Sequence, residues 1–458
     1  MANTFSRHFL HPRVNHIYNP TTGKKESIDS LRASPQKATW EIALSNEWGR
    51  LSQGNVHGVT PTDTIEFIYF NQVPSDRDVT YASFVCDHRP LKSEPWRVRI
   101  VVGGDKLSYA DDAGSSAASP LETKILLNSV ISDATRGARF MSLDLKDYFL
   151  ATPMARPEYM KVLLKYFPAD IQERYNLKDK VTANGYIYIK IKKGMYGLKQ
   201  AAILVYNHLI QNLQNDGYEP IPHTDSYWRH RTLPTIFCLC VDDFGVKFFQ
   251  KSDINHLITS LQKYYKISTD FSGKNYCGLT MTWNYDEGYV DVAMPDYVPK
   301  ALKKFQHQPP ASPQYAPHAW NPPKFDQRVQ YALTPDSSPL LDKTKKLYVQ
   351  SVVGAFLYFA RAIDSTLLVA LNDIAAHQAR PTQFILSKCK QLLDYAATYP
   401  NVTLRFSASD MILHVDSDAA YLVQDGARSR ISGHYILSSR PPPAPQIPIK
   451  TTKCPHPC

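Results

Sequence analysis

The chain has 458 residues, enough for two to four domains with their own cores, and its 43% hydrophobic and 21% charged content excludes a disordered chain. Lys and Arg outnumber Asp and Glu by 52 to 42, a net charge of +10 that favours polyanionic partners without by itself naming one. The seven cysteines are odd in number and scattered, which argues against a disulfide framework, and no run of 18 apolar residues occurs to span a membrane.

Residues 1–35 are polar and aperiodic, with no apolar leader-like core, and are expected to be mobile. A helical pattern runs from Trp40 to Leu51, followed by β-branched and aromatic runs such as Thr64–Phe70. Ser108–Pro120, rich in Ser, Ala, Asp and Gly, reads as a loop, and Leu121–Ala134 has apolar spacing suited to a helix. Phe140–Leu145 is predicted as a buried strand ending at acidic residues. Gly185–Lys192 alternates like a strand, Lys199–Leu213 is helical, Thr235–Phe249 is a strand pair broken by two aspartates, and Ile254–Tyr265 is helical again. This order predicts an α+β fold, a sheet backed by helices. Residues 307–340 carry Pro309, Pro310, Pro313, Pro317, Pro322 and Pro323 and read as a linker. One apolar helix pattern follows over Tyr348–Ala376 and another over Gln383–Tyr395, then strand-like runs at Met411–Val415 and His434–Leu437. Seven of the last eighteen residues are proline, and Cys454-Pro-His-Pro-Cys458 lacks the second ligand pair that a zinc site needs.

Three segments carry chemistry. In Thr235–Phe249 two apolar halves flank Asp242 and Asp243. An Asp-Asp turn is commonly only a turn, but adjacent carboxylates in so apolar a hairpin repel each other and are costly to bury. A divalent cation answers both problems. In Arg139–Leu150 a short apolar strand delivers Asp144 at its end, with Asp147 following; the plainer role for Asp144 is a helix cap. In Lys192–Ala202 two glycines and Tyr196 stand between strand and helix, where backbone approaches a planar ligand or simply turns.

Asp144 in its apolar-Asp-apolar-Lys-x-x-Phe-Leu setting, then Tyr196-Gly-Leu-Lys-Gln-Ala201, then Val241-Asp-Asp243 resemble the ordered signature of copia-type reverse transcriptases of LTR retrotransposons. Trp96-Arg-Val-Arg-Ile-Val-Val102 resembles the family's fingers strand, Tyr276-Cys-Gly-Leu279 a segment near its primer grip, and Ser351–Tyr358 a block downstream. The likeness extends from Trp40 to about Ser439. It implies a right-hand polymerase fold, with fingers and palm in 36–290 and the Pro-rich linker and helical thumb or connection region in 291–410. An incomplete ribonuclease H-like start and a Pro-rich tail would fill 411–458.

The activity implied is RNA-directed DNA polymerisation, adding dNTPs to a primer on an RNA or DNA template. Two Mg²⁺ ions, or Mn²⁺ in their place, would be held by Asp144, Asp242 and Asp243. Arg97 and Arg99 would grip the triphosphate, and Asp147, Tyr148, Phe149, Tyr196, Gly197 and Lys199 would surround the nucleotide, with Phe149 beneath its sugar. Tyr276 and Gly278 would form the primer grip. Asp416, in Leu413–Ala420, would be the first ligand of the ribonuclease H-like segment; its partner carboxylates are missing before the prolines, so no ribonuclease H activity is expected. Partners implied are the template–primer, dNTPs and other segments of a Gag-Pol polyprotein, in the cytoplasm (a virus-like particle) or nucleus, with neither membrane attachment nor secretion. Two residues depart from the family: Cys240 where Tyr usually precedes Val-Asp-Asp, and Tyr148 where Ala is usual. A remnant that binds nucleic acid without polymerising is the competing reading.

Overall fold

Alternation at period two builds the strands. In Tyr186–Lys193 the side chains of Ile187, Ile189 and Ile191 are fully buried while the intervening residues are not. The computed structural model describes residues 17, 25–89, 94–109, 114–319, 336–424 and 428–440. In chain order its strands are β1 (Ile65–Ile68), β2 (Val79–His88), β3 (Trp96–Val102), β4 (Arg139–Lys146), β5 (Pro153–Leu163), β6 (Tyr186–Lys193), β7 (Tyr218–Pro220), β8 (Tyr227–His230) and β9 (Ile236–Cys240). They continue as β10 (Asp243–Phe248), β11 (Lys266–Asp270), β12 (Asn275–Tyr276), β13 (Leu279–Asn284), β14 (Tyr289–Ala293), β15 (Thr403–Ser407), β16 (Ile412–Gln424) and β17 (Arg428–Ser438). The helices are α1 (Ile28–Arg32), α2 (Lys37–Leu51), α3 (Pro120–Ser132), α4 (Ala169–Arg174), α5 (Leu177–Lys180) and α6 (Ala201–Asn215). After them come α7 (Lys251–Gln262), α8 (Tyr297–Lys304), α9 (Lys343–Ala362), α10 (Leu368–His377) and α11 (Gln383–Thr398).

The fold is mixed α and β. A five-stranded sheet runs β1-β6-β5-β2-β3, a six-stranded one β11-β4-β10-β9-β8-β7, a four-stranded one β12-β13-β14-β15, and β16 pairs with β17. Trp40, Leu44, Trp48 and Leu51 of α2 pack on the five-stranded sheet, each side chain contributing about 2 kcal/mol by burial. On the six-stranded sheet, Leu143, Leu145, Phe244 and Val246 face α6 and α7. The opposite face, including Phe140, Cys238 and Cys240, packs toward α3, the four-stranded sheet and the helices after it. Asp144 and Asp243 alternate with the first set and so share that second face. No helix among the described residues is long and apolar enough to cross a membrane.

The structure differs from the sequence expectation in several places. Segment 1–35, expected to be mobile throughout, contains α1, closed by a Ser27–Ser30 capping box and anchored by buried Ile28 and Leu31. The single helix expected over Tyr348–Ala376 is two, because Asp364 turns its carboxylate onto the Thr366 N–H and hydroxyl and restarts the chain. The last two strand-like runs extend into one long hairpin, β16–β17. The register sets Leu413, Val415 and Ala419 opposite Leu437, Tyr435 and Ile431 on one face, and most of these side chains are exposed. Arg430, on the other face, reaches Asp373 of α10 at 3.8 Å. Residues 1–16, the part of the expected linker at 320–335 and the Pro-rich tail from 441 onward, with Cys454 and Cys458, lie outside the described residues.

Candidate active site

The β9–β10 hairpin is the centre of the site. Cys240 pairs with Asp243, leaving Val241 and Asp242 as a two-residue turn. Val241 takes a φ of 61°. Positive φ at the first turn position normally falls to glycine, and a β-branched residue there costs on the order of 1–2 kcal/mol. Neighbouring bonds hold the turn in place: the Asp242 carbonyl accepts the Leu145 N–H at 2.9 Å, and the Leu239 carbonyl accepts the Ala118 N–H at 2.8 Å.

Asp243 stands directly opposite Asp144 on β4. Side chains so paired share a sheet face with Cβ atoms about 5 Å apart. On the far side of β4, Ser268 of β11 pairs with Asp144, and its hydroxyl donates to Asp144 Oδ2 at 3.4 Å. Asp242 is half-buried. Burial, then the charges of Asp243 and Asp144, push its carboxyl up to about 8, with Arg99 pulling the other way. Among the described residues no three His, Cys, Asp or Glu side chains converge closely enough to hold a metal as they stand. The backbone nonetheless brings three hard-oxygen donors to one corner of the sheet, and the mutual repulsion that raises the Asp242 carboxyl is of the kind a divalent cation removes. The donor set fits Mg²⁺ in chemistry, provided the carboxylates rotate inward.

A cleft of about 750 Å³ opens at Asp144 and Asp242, with Asp243 outside its lining. It is lined by Asp144, Asp242 and Ser268 and, in the same cleft, by Arg50, Arg89, Arg97 and Arg99. Arg97 pairs with Glu94 and, at 3.4 Å, with fully buried Glu47. Arg99 pairs with Asp87 at 3.2 Å and lies over the Tyr196 ring at 5.7 Å. Tyr196 lines the cleft, and burial pushes its phenol up to about 12. Asp147 also lines it, 3.7 Å from Arg50.

Other residues expected around a nucleotide lie elsewhere. Tyr148 is fully buried against Tyr265 in the core beneath the six-stranded sheet, its hydroxyl without a hydrogen-bond partner and its phenol pushed well up by burial. The cause is Asp147, whose φ of 52° swings the chain into a short 3-10 turn and sends the next side chain inward. Phe149 stands behind Tyr196, ring centroids 5.4 Å apart, and is not among the cleft residues. Gly197 is a packing glycine: at φ 95°, a Cβ there would sit 2.1 Å from the Val102 carbonyl. Lys199 is exposed and donates to the Leu107 carbonyl at 2.8 Å, away from the cleft.

Tyr276 is buried and donates to the Cys238 carbonyl at 3.0 Å, propping the hairpin from below. Gly245 leaves room for it, since a Cβ there would meet the ring at 3.0 Å. Gly278 is exposed at φ 79°, in the turn between β12 and β13. Asp416 is exposed on β16 opposite His434, with no part in the cleft. Sequence reading missed Arg50, Arg89, Glu94 and Ser268. The one local signal was the Glu47–Arg50 spacing on a helix.

No protein-family profile matches this chain, and no curated protein matches it. Among solved structures, it is similar to an apo telomerase from Candida tropicalis truncated from its C-terminal domain. There the identity is 12% and the TM-score 0.28, over 54% of this chain and 58% of that one. It is also similar to a foamy viral protease-reverse transcriptase in complex with an RNA/DNA hybrid, at 14% identity and TM-score 0.35, over 79% of this chain and 40% of that one. The chain thus spans about half the length of these structures. At such scores the likeness assigns neither fold nor activity, and any functional reading rests on the site.

Proposed function

We propose that this chain is an RNA-directed DNA polymerase of the copia type, extending a primer with dNTPs in the cleft beside Asp144, Asp242 and Asp243. The observation that carries the reading is the pairing of Asp144 with Asp243 across β4 and β10, with Asp242 in the adjoining turn, beside a cleft that four arginines also line. In this reading the six-stranded sheet is the palm, the five-stranded sheet with α1 and α2 the fingers, and α8–α11 the thumb or connection region. Residues 411–440 would be a ribonuclease H-like start.

Joining a primer hydroxyl to a dNTP asks a protein for alignment and charge neutralisation rather than covalent help. Asp144, Asp242 and Asp243 would hold two Mg²⁺ ions, which supply Lewis acidity to the primer hydroxyl and take up charge on the triphosphate. Arg97 and Arg99 are held by acidic neighbours, so their guanidinium groups are fixed before an anion arrives. Tyr196 lines the cleft beneath Arg99, with Phe149 packed beside it. Tyr276 keeps the hairpin from sinking toward the core. The natural partners would be an RNA or DNA template–primer and dNTPs, within the cytoplasm or nucleus and alongside other Gag-Pol segments.

Primer extension on an RNA template with Mg²⁺ or Mn²⁺ tests the proposal. The unaltered chain should extend, while Asp144→Asn and Asp242→Asn should each lose at least about 100-fold in rate with the fold intact. Binding of template–primer with no extension in either ion would instead support a non-polymerising nucleic-acid binder.

A further inference from the structure

Arg50 and Arg97 converge on one carboxylate. Arg50 donates from Nη2 to both oxygens of Glu94, at 2.6 and 2.8 Å, and Arg97 donates from Nη1 to Glu94 Oε2. A two-oxygen anion held by two guanidiniums is the geometry in which arginine binds phosphate. The Glu94 side chain is 33% exposed, against 7% for Arg50 and 14% for Arg97. The receptor is therefore built into the wall, and its occupant stands at the surface.

The two arginines do not depend on Glu94 to stay in place. Glu47, fully buried, holds Arg50 at 2.6 Å and Arg97 at 3.4 Å from the side away from the cleft. Nor is the donor capacity of the wall used up. The Nε groups of Arg89, Arg97 and Arg99 are buried without a hydrogen-bond partner. Burial, and then the charges of Arg99 and Arg97, lower the pKa of Arg89. With Glu94 withdrawn, these four guanidiniums would keep Glu47, Asp87 and Asp147 as their ion-pair partners among the described residues. The wall would then carry surplus positive charge facing the cleft.

We infer that Glu94 is an internal stand-in for a phosphate group, occupying an anion site between Arg50 and Arg97 that a polyphosphate takes when Glu94 turns outward. The natural occupant, the triphosphate of an incoming nucleotide, rests on the polymerase reading above; the anion site itself does not. The exchange raises the threshold for entry. A ligand must bring more negative charge than one carboxylate, which favours phosphate groups, at a charge of about −1.5 to −2, over carboxylates.

Calorimetric titration of the full chain with inorganic tripolyphosphate, without template or divalent metal, tests the exchange. Glu94→Gln removes the competing charge and should bind about tenfold more tightly than the unaltered chain. Glu94→Ala should show the same gain, which guards against a fold defect peculiar to one variant, and circular dichroism checks both. Equal or weaker binding by both variants, or no binding by any of the three proteins, overturns the stand-in. The titration needs no catalysis. A chain that never extends primers yet shows the tightening loses the polymerase reading and keeps the anion site; extension without tightening loses the anion site alone.

Discussion

Replacing Asp242 with Asn should make the metal-free protein more stable at neutral pH while destroying its proposed function. In the folded chain, burial and the two neighbouring carboxylates hold the Asp242 proton up to about 8. In the unfolded chain it leaves near 4, the ordinary carboxylate value. Between those limits the folded state binds more protons than the unfolded one, so stability falls as pH rises. It is full below the unfolded value and lost above about 8. Taken at face value that difference is worth about 5 kcal/mol, but cleft water reaches the half-buried group and leaves roughly 2 kcal/mol. For a cooperative unit of about 200 residues this corresponds to about 4–8 °C in Tm. Calorimetric melts from pH 4 to 9 should therefore show the two proteins together near pH 4 and the Asn variant ahead at pH 8. Mg²⁺ at ten times its Kd should return about 1.4 kcal/mol to the unaltered protein and much less to the variant. Equal pH profiles would refute the charge-repulsion reasoning, and an equal response to Mg²⁺ would remove Asp242 from the metal site.

Gly197→Ala should destabilise by about 2–4 kcal/mol in urea titrations, since the new methyl meets the Val102 carbonyl and the backbone is left-handed; a loss below about 1 kcal/mol would show that this turn yields. Because Tyr196 lines the cleft and Phe149 stands behind it, Tyr196→Val should raise the ratio of ribonucleotide to deoxyribonucleotide incorporation more than Phe149→Val does. The reverse order in that assay would place Phe149 at the sugar. Template–primer affinity should fall with salt at a log–log slope of about −3, measured by fluorescence anisotropy, and a flat response would exclude phosphate contacts by the basic residues of this +10 chain.

The hairpin carrying Asp242 and Asp243 was legible because charged residues interrupt an apolar run, and few backbones other than a tight turn accept that. Asp144 was legible for a similar reason, at the end of a short buried strand. The arginine wall was only half legible. Arg97 and Arg99 alternate on one strand, but Arg50 comes from a helix 94 residues before Asp144 and Glu94 from just ahead of β3. Only the assembled tertiary structure brings them to one carboxylate. The aromatic pair Tyr148 and Phe149 could not be oriented from sequence, because their directions follow from the left-handed φ of Asp147. The same holds for the break at Asp364, where one side-chain hydrogen bond overrides a continuous apolar pattern.

The β16–β17 hairpin sets a practical limit on the molecule. A two-stranded ribbon that pairs with no further strand among the described residues, with Leu413, Val415, Ile431 and Tyr435 turned to water, is a template onto which other chains can add strands. Loss to aggregates during concentration should begin there rather than at the cleft. Ile431→Lys together with Tyr435→Thr would place charge and polarity on that face. The pair should raise soluble yield severalfold and leave the melting of the rest of the protein unchanged, which light scattering and calorimetry on the same sample would report.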